Sequence, residues 1–296
     1  MWMNRLKTLI LLSALSGLLL FIGGLFGGHT GLAIACVMAF TMNFIAYFFS
    51  EKIVLTMYGA QQLDKNQYGW IYEVVEELAH TMQIPMPKLW IVKNPMANAF
   101  ATGRSPAHAS VAVTTGILNL LDKDELRGVL AHELSHIKNR DVLVTTIAAT
   151  LATAIGYLAS MLHHAAFWGA ISGNNERKRG GGNLIAMLAI AILMPFAAML
   201  IQMAISRSRE YLADETGAHN CHDPLALASA LEKLHHHIPH AHMNNDDTAR
   251  ASTAGLFIVH PFTAGTLMSL FSTHPPMHKR VERLRAMHEK MFKYGA

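Results

Sequence analysis

The sequence predicts an α+β, predominantly helical chain embedded in a membrane, with up to four transmembrane helices and a small sheet beside one amphipathic helix. Three observations carry that prediction. Of 296 residues, 52% are hydrophobic and 15% charged, against about 25% charged in an ordinary soluble domain. Four runs hold no charged residue: Thr8 to Phe26, Gly31 to Ser50, Val142 to Trp168 and Asn183 to Ile205, each close to or above the ~20 residues a helix needs to cross a bilayer. Between the second and third runs the composition returns to that of a soluble domain, with a helical apolar stripe and short β-rich segments.

The first two runs form an N-terminal transmembrane hairpin over residues 1–50. Arg5 and Lys7 precede the first run as a signal peptide's basic region would. The run is long, however, lacks a clear small-x-small cleavage site and is followed at once by a second span, which argues for an uncleaved anchor. The connection Gly27-Gly28-His29-Thr30 is short and uncharged, as expected of a translocated turn.

Residues 51–141 form the first part of a soluble-type domain. Asp64 to Ile84 reads as one amphipathic helix with Trp70, Ile71, Val74, Val75, Leu78 and Met82 on one side. Lys88 to Val92, Asn98 to Thr102 and Ser110 to Thr114, separated by Pro and Gly signals, read as a small sheet. Asp122 followed by Glu125 is a capping box that opens a second helix, and Leu126, Leu130, Leu134 and Ile137 give that helix its apolar stripe.

That helix carries His132-Glu133-x-x-His136. Residues four apart share a helix face, so both imidazoles reach one ion, while Glu133 sits beside the ion without binding it. This is the pattern of a zinc hydrolase, with Zn²⁺ on two histidines and a carboxylate handling the proton of an activated water. The ordinary alternative is a surface helix with two chance histidines in a His-rich chain.

Residues 142–205 hold the second apolar helix pair. Ala152, Gly156 and Ser160 recur every four residues, which suits close helix packing in lipid. His163 and His164 lie about 27 residues of helix beyond His136, so they read as packing or interfacial groups. Residues 206–296 form the second part of the domain. Glu210 and Asp214 stand one helical turn apart, so one carboxylate can bind the ion while the other orients a ligand imidazole through its free N–H. His235, His236, His237, His240 and His242 surround Pro239 as a solvated loop that can bind metal adventitiously. In Ser272-Thr273-His274-Pro275-Pro276 the paired prolines fix the backbone next to His274. Met277 to Met291 forms a basic amphipathic terminal helix with Val281, Leu284 and Met287 inward.

The net charge of +4 comes from 24 Lys+Arg against 20 Asp+Glu, concentrated beside apolar segments, so the charges are topology signals and no nucleic-acid partner is expected. Cys36 and Cys221 have neither disulfide-framework nor zinc-site spacing.

Taken together, the two-span anchor, Asn98-Ala99-Phe100-Ala101-Thr102-Gly103, the His132 to His136 motif, the two further apolar runs, Arg209 to Asp214 and Ser272 to Pro276 resemble the HtpX-like membrane zinc metalloproteases, relatives of the CAAX prenyl endopeptidases. The resemblance covers nearly the whole chain and implies a zincin-type fold with one Zn²⁺ on His132, His136 and Glu210. It further implies Asp214 behind the ligands, Glu133 as catalytic carboxylate, and Asn98 and His274 beside the bound peptide stabilising the oxyanion. The substrates it implies are polypeptides, chiefly misfolded membrane proteins, cut at the cytoplasmic face of a bacterial inner membrane. A non-proteolytic zinc scaffold or metal transporter is the rival reading. It would need ionisable ligands inside the spans, and the four runs offer almost none beyond His163 and His164.

Overall fold

The computed structural model describes residues 2–151, 155, 207–237 and 275–293. The third apolar run beyond residue 151 (apart from residue 155), the fourth run, His163, His164, His240, His242 and His274 lie outside the described residues. The described chain is predominantly helical with one small mixed sheet.

Helix α1 (Trp2–Met57) is two apolar helices run together through Gly28, whose φ of 52° and ψ of −138° break the helical path. Only glycine adopts that backbone cheaply. The two arms fold back on each other, so that Asn43 Nδ2 donates to Ser16 Oγ at 2.8 Å and to Leu12 O at 3.3 Å. Near the turn, Gly23 and Gly31 bring the backbones so close that a Cβ on either would strike the other's carbonyl oxygen. Among the described residues, Gly28–Met57 is the one helix long and apolar enough to cross a membrane, about 45 Å at 1.5 Å per residue. Its outer surface shows Val37 at 67% and Phe40 at 74% exposure, an apolar face that water does not favour.

Strand β1 (Gln61–Gln62) leads into α2 (Lys65–Met82), whose N-cap Asp64 accepts from Asn66 N at 2.9 Å. Strands β2 (Lys88–Val92), β3 (Ala99–Ser105) and β4 (His108–Thr114) complete a sheet of order β1-β2-β4-β3. β2 runs parallel to β4, and the other two pairs are antiparallel. Alternation divides its faces as a two-residue period requires. Leu89, Ala99, Ala101, Val111 and Val113 join the main core, while Val92, Phe100 and Ala112 pack on Val54, Leu55 and Ala149.

After the short α3 (Thr115–Leu120), α4 (Lys123–Lys138) opens with the complete capping box, Glu125 N donating to Asp122 at 2.9 Å and Asp122 N to Glu125 at 3.0 Å. Leu126, Leu130, Leu134 and Ile137 are fully buried between α2, the sheet and the helices that follow. Truncating any of them to Ala costs about 2–5 kcal/mol. Helix α5 (Val142–Leu151) packs Val144, Ile147 and Leu151 against Leu11, Leu15 and Ala46 of α1. Helices α6 (Arg207–Cys221) and α7 (Pro224–His236) close the domain over α4, and α8 (Met277–Lys293) packs on both of them.

Candidate metal centre

Near the C-terminal end of α4, His132 and His136 stand edge to face, with ring centroids 4.8 Å apart and the two Nε2 atoms 3.2 Å apart. The facing helix α6 brings Glu210 to both. Its Oε2 lies 3.7 Å from His132 Nε2 and its Oε1 lies 3.7 Å from His136 Nε2. Among the described residues this is the group of three whose ligand atoms could hold a metal, all within 4.8 Å of one another. The approach depends on Gly217, where a Cβ would sit 2.9 Å from the backbone nitrogen of His132. On α6, Glu210, Asp214, Gly217 and Cys221 fall on one buried face, the spacing of successive turns.

The donor set fits zinc. Two imidazole nitrogens and a carboxylate leave a fourth position open, as in catalytic zinc sites. A tetrahedron with bonds of about 2.0–2.1 Å has an edge of about 3.3 Å, close to the observed 3.2 Å between the two Nε2 atoms.

Carboxylates stand behind the two imidazoles. Asp214 Oδ1 is 2.9 Å from His132 Nδ1, though off the line of the ring N–H. Arg280 from α8, with no exposed surface, grips Asp214 by two bonds of 2.6 and 2.7 Å and lies 3.8 Å from Glu210. Asp141 Oδ2 is 3.1 Å from His136 Nδ1. Glu133, 5% exposed, accepts from the backbone N–H of Ala101 on β3 at 2.8 Å.

Burial raises the Glu133 carboxyl above its ordinary range, against the pull of His132 and His136. Burial also works to lower His136, but Asp141, Glu210 and Glu133 outweigh it and push the imidazole up to about 10. Burial acts to raise Asp214, yet Arg280 and His132 hold it below the carboxylate range. A cluster of carboxylates that holds a proton on an imidazole is also one that favours a bound cation.

The residues singled out in the sequence thus fall into two sets. His132, Glu133, His136, Glu210 and Asp214 meet in one cluster. Asn98 is buried at the head of β3, its N–H bonded to Thr114 Oγ1 at 2.9 Å and its carbonyl accepting from Thr114 N at 2.9 Å. His274 lies outside the described residues, directly before Pro275 and Pro276. Sequence reasoning missed Arg280 and Asp141. The signal for Arg280 was a cation on the apolar side of α8, adjacent to Val281 and one turn before Leu284. For Asp141 it was a carboxylate just past the end of the motif helix.

A family model described as "Peptidase family M48" matches residues 65–288. The chain is 50% identical over 277 residues to a "Protease HtpX homolog" of Aquifex aeolicus (strain VF5), covering 93% of this chain and 90% of that protein. A protein of the same description from Persephonella marina is 50% identical over 292 residues, covering 98% and 99%. One from Thermococcus sibiricus is 49% identical over 291 residues, covering 98% and 97%. Among solved structures, the crystal structure of S. mikatae Ste24p matches with a TM-score of 0.52 at 18% identity, covering 96% of this chain and 66% of that one. At that identity the likeness speaks for the fold.

Proposed function

Since the chain belongs to peptidase family M48 and is a metalloprotease, we propose that it is a zinc-dependent membrane endopeptidase in which His132, His136 and Glu210 hold the ion and Glu133 is the general base. The observation that carries the reading is the position of Glu133. It is buried beside both histidines and bonded to the edge strand of the sheet.

When bound, zinc supplies the Lewis acidity that makes a water ionise near neutral pH. With the ion held by His132, His136 and Glu210, Glu133 would accept a proton from the attacking water and return it to the leaving amine. Asp214 holds His132 from behind, braced by Arg280. The family resemblance adds Asn98 and His274 as donors to the developing oxyanion.

Substrate enters as an extended chain along β3. The N–H groups of Ala101 and Gly103 both point away from β4, the first to Glu133 and the second to Thr146 Oγ1 at 3.3 Å. Alternate residues share a direction in a strand, so Ala99 and the carbonyl of Ala101, whose N–H is held by Glu133, offer the main-chain groups for pairing, while α5 covers the edge at Gly103. Main-chain recognition tolerates many sequences, which suits removal of misfolded membrane proteins.

In this reading residues 1–50 anchor the enzyme in the bacterial inner membrane. The two parts of the protease domain, 51–141 and 206–296, flank the apolar pair 142–205. His136 precedes that pair and Glu210 follows it, so one ion requires both ends on the same side. Arg5, Lys7, Lys52, Lys138, Arg140, Arg207 and Arg209 on that side, against Arg177, Lys178 and Arg179 opposite, make it the cytoplasm.

Digestion of a membrane-protein substrate by the detergent-purified full chain, with zinc, with chelator and as Glu133→Gln, tests the proposal. Zinc-dependent cleavage should fall at least about 10²-fold in the zinc-loaded variant. Near-normal turnover by that variant would remove Glu133 from the role.

A further inference from the structure

We propose that Asp141 is the positioning carboxylate of His136, holding Nδ1 so that Nε2 faces the metal. The role rests on the reading of His136 as a ligand.

Residues five apart on a continuous helix point about 140° away from each other, so Asp141 would not reach His136 along α4. The helix ends first. Asn139 caps it, and Arg140 takes the left-handed conformation at a φ of 56°. Arg140 N donates to Ile137 O at 3.1 Å and Asp141 N donates to His136 O at 3.2 Å, the paired bonds of a Schellman motif. That turn carries Asp141 back over the histidine it must contact.

Asp141 also begins α5, its carbonyl accepting from Val144 N at 3.1 Å and Thr145 N at 3.3 Å. An aspartate in that position ordinarily turns its side chain onto the second or third amide of the new helix. Three others in this chain do so: Asp64 accepts from Asn66 N, Asp122 from Glu125 N and Asp223 from Ala226 N. Asp141 does not. Its Oδ2 lies 3.1 Å from His136 Nδ1, and its Oδ1 has no hydrogen-bond partner, although the residue is 2% exposed. A buried carboxylate that leaves its own helix uncapped to meet an imidazole fits the requirement of a ligand histidine, whose far N–H must be held to fix the tautomer. Asp214 stands behind His132 in turn, 2.9 Å from its Nδ1 though off the line of the ring N–H. Each ligand imidazole therefore has its own carboxylate, one from α6 and one from the turn after α4.

Serine and asparagine cap helices about as well as aspartate. Asp141→Ser thus preserves the start of α5 but is too short to reach His136, while Asp141→Asn keeps an acceptor oxygen. Zinc dissociation constants of the full chain in detergent, from chelator competition, and melting of the metal-free protein separate the roles. Asp141→Ser should bind zinc about 10- to 100-fold more weakly, Asp141→Asn should lose less, and the two variants, both without the carboxylate charge beside His136, should melt alike when metal-free. Wild-type zinc affinity in Asp141→Ser overturns the role, as does an equal loss in both variants that tracks lowered melting. Wild-type protein that takes up no zinc overturns the metal site itself, and this role with it.

Discussion

Arg280→Met isolates the electrostatics behind the cluster of His132, His136 and Glu210. The guanidinium is wholly buried, bonded twice to Asp214 and 3.8 Å from Glu210, in a pocket that also holds the buried Glu133. Methionine fills similar space but leaves the Asp214 carboxylate without its cation. Breaking one half of a buried pair in this way costs about 3–5 kcal/mol. For a domain of this size that is a fall of roughly 6–20 °C in melting temperature. The measurement is denaturant unfolding of the metal-free full chain in detergent for wild type, Arg280→Met, Asp214→Asn and the double variant. Each single change breaks the Arg280–Asp214 pair and leaves its other half buried, while the double change removes both halves, so the double variant should be more stable than the sum of the singles implies. Additivity within about 0.5 kcal/mol would refute the coupling. So would an Arg280→Met protein as stable as wild type.

Three further outcomes follow from the same geometry. Glu210→Ala should take up no zinc while Asp214→Ala binds it about 10- to 100-fold more weakly, and metal analysis giving the reverse order would exchange the two roles. Gly217→Val places branched carbon against the backbone of His132, where even a Cβ would lie 2.9 Å from the nitrogen. Zinc affinity should fall more than in Gly217→Ala, and equal affinities in both variants and wild type would show that α6 need not sit so close. Burial raises the Glu133 carboxyl above its ordinary 4.5 in the fold, so its ionisation costs stability above that value. Metal-free Glu133→Gln should therefore unfold at a higher temperature than wild type near pH 7–8, the difference vanishing as pH falls toward about 4, where the carboxyl is protonated in both states. A gap that persists at low pH would point to packing instead.

Local chemistry made most of the fold legible. The capping residues Asp64 and Asp122, the stripe from Leu126 to Ile137 and the β-rich run Lys88 to Val92 each act within a few residues, and the helices and strand stand where those signals put them. β1 was missed because two exposed glutamines carry no strand pattern, and its pairing comes from β2. β3 extends beyond the expected Thr102 to Ser105, and β4 begins at His108 instead of Ser110, because hairpin pairing continues through residues of low strand preference such as Gly103.

At the site, the helical period alone put His132 and His136 on one face with Glu133 beside them, since four residues of one helix need no partner to define their geometry. The same period left Glu210 and Asp214 interchangeable as candidate ligands, each one turn from the other. Only packing at Gly217 brings Glu210 within 3.7 Å of both Nε2 atoms and sets Asp214 against Nδ1. Arg280 reaches Asp214 across 66 residues of chain, and Asp141 reaches His136 through a left-handed turn. Neither contact has a period or spacing to announce it, because each depends on where separate helices end and how closely they pack.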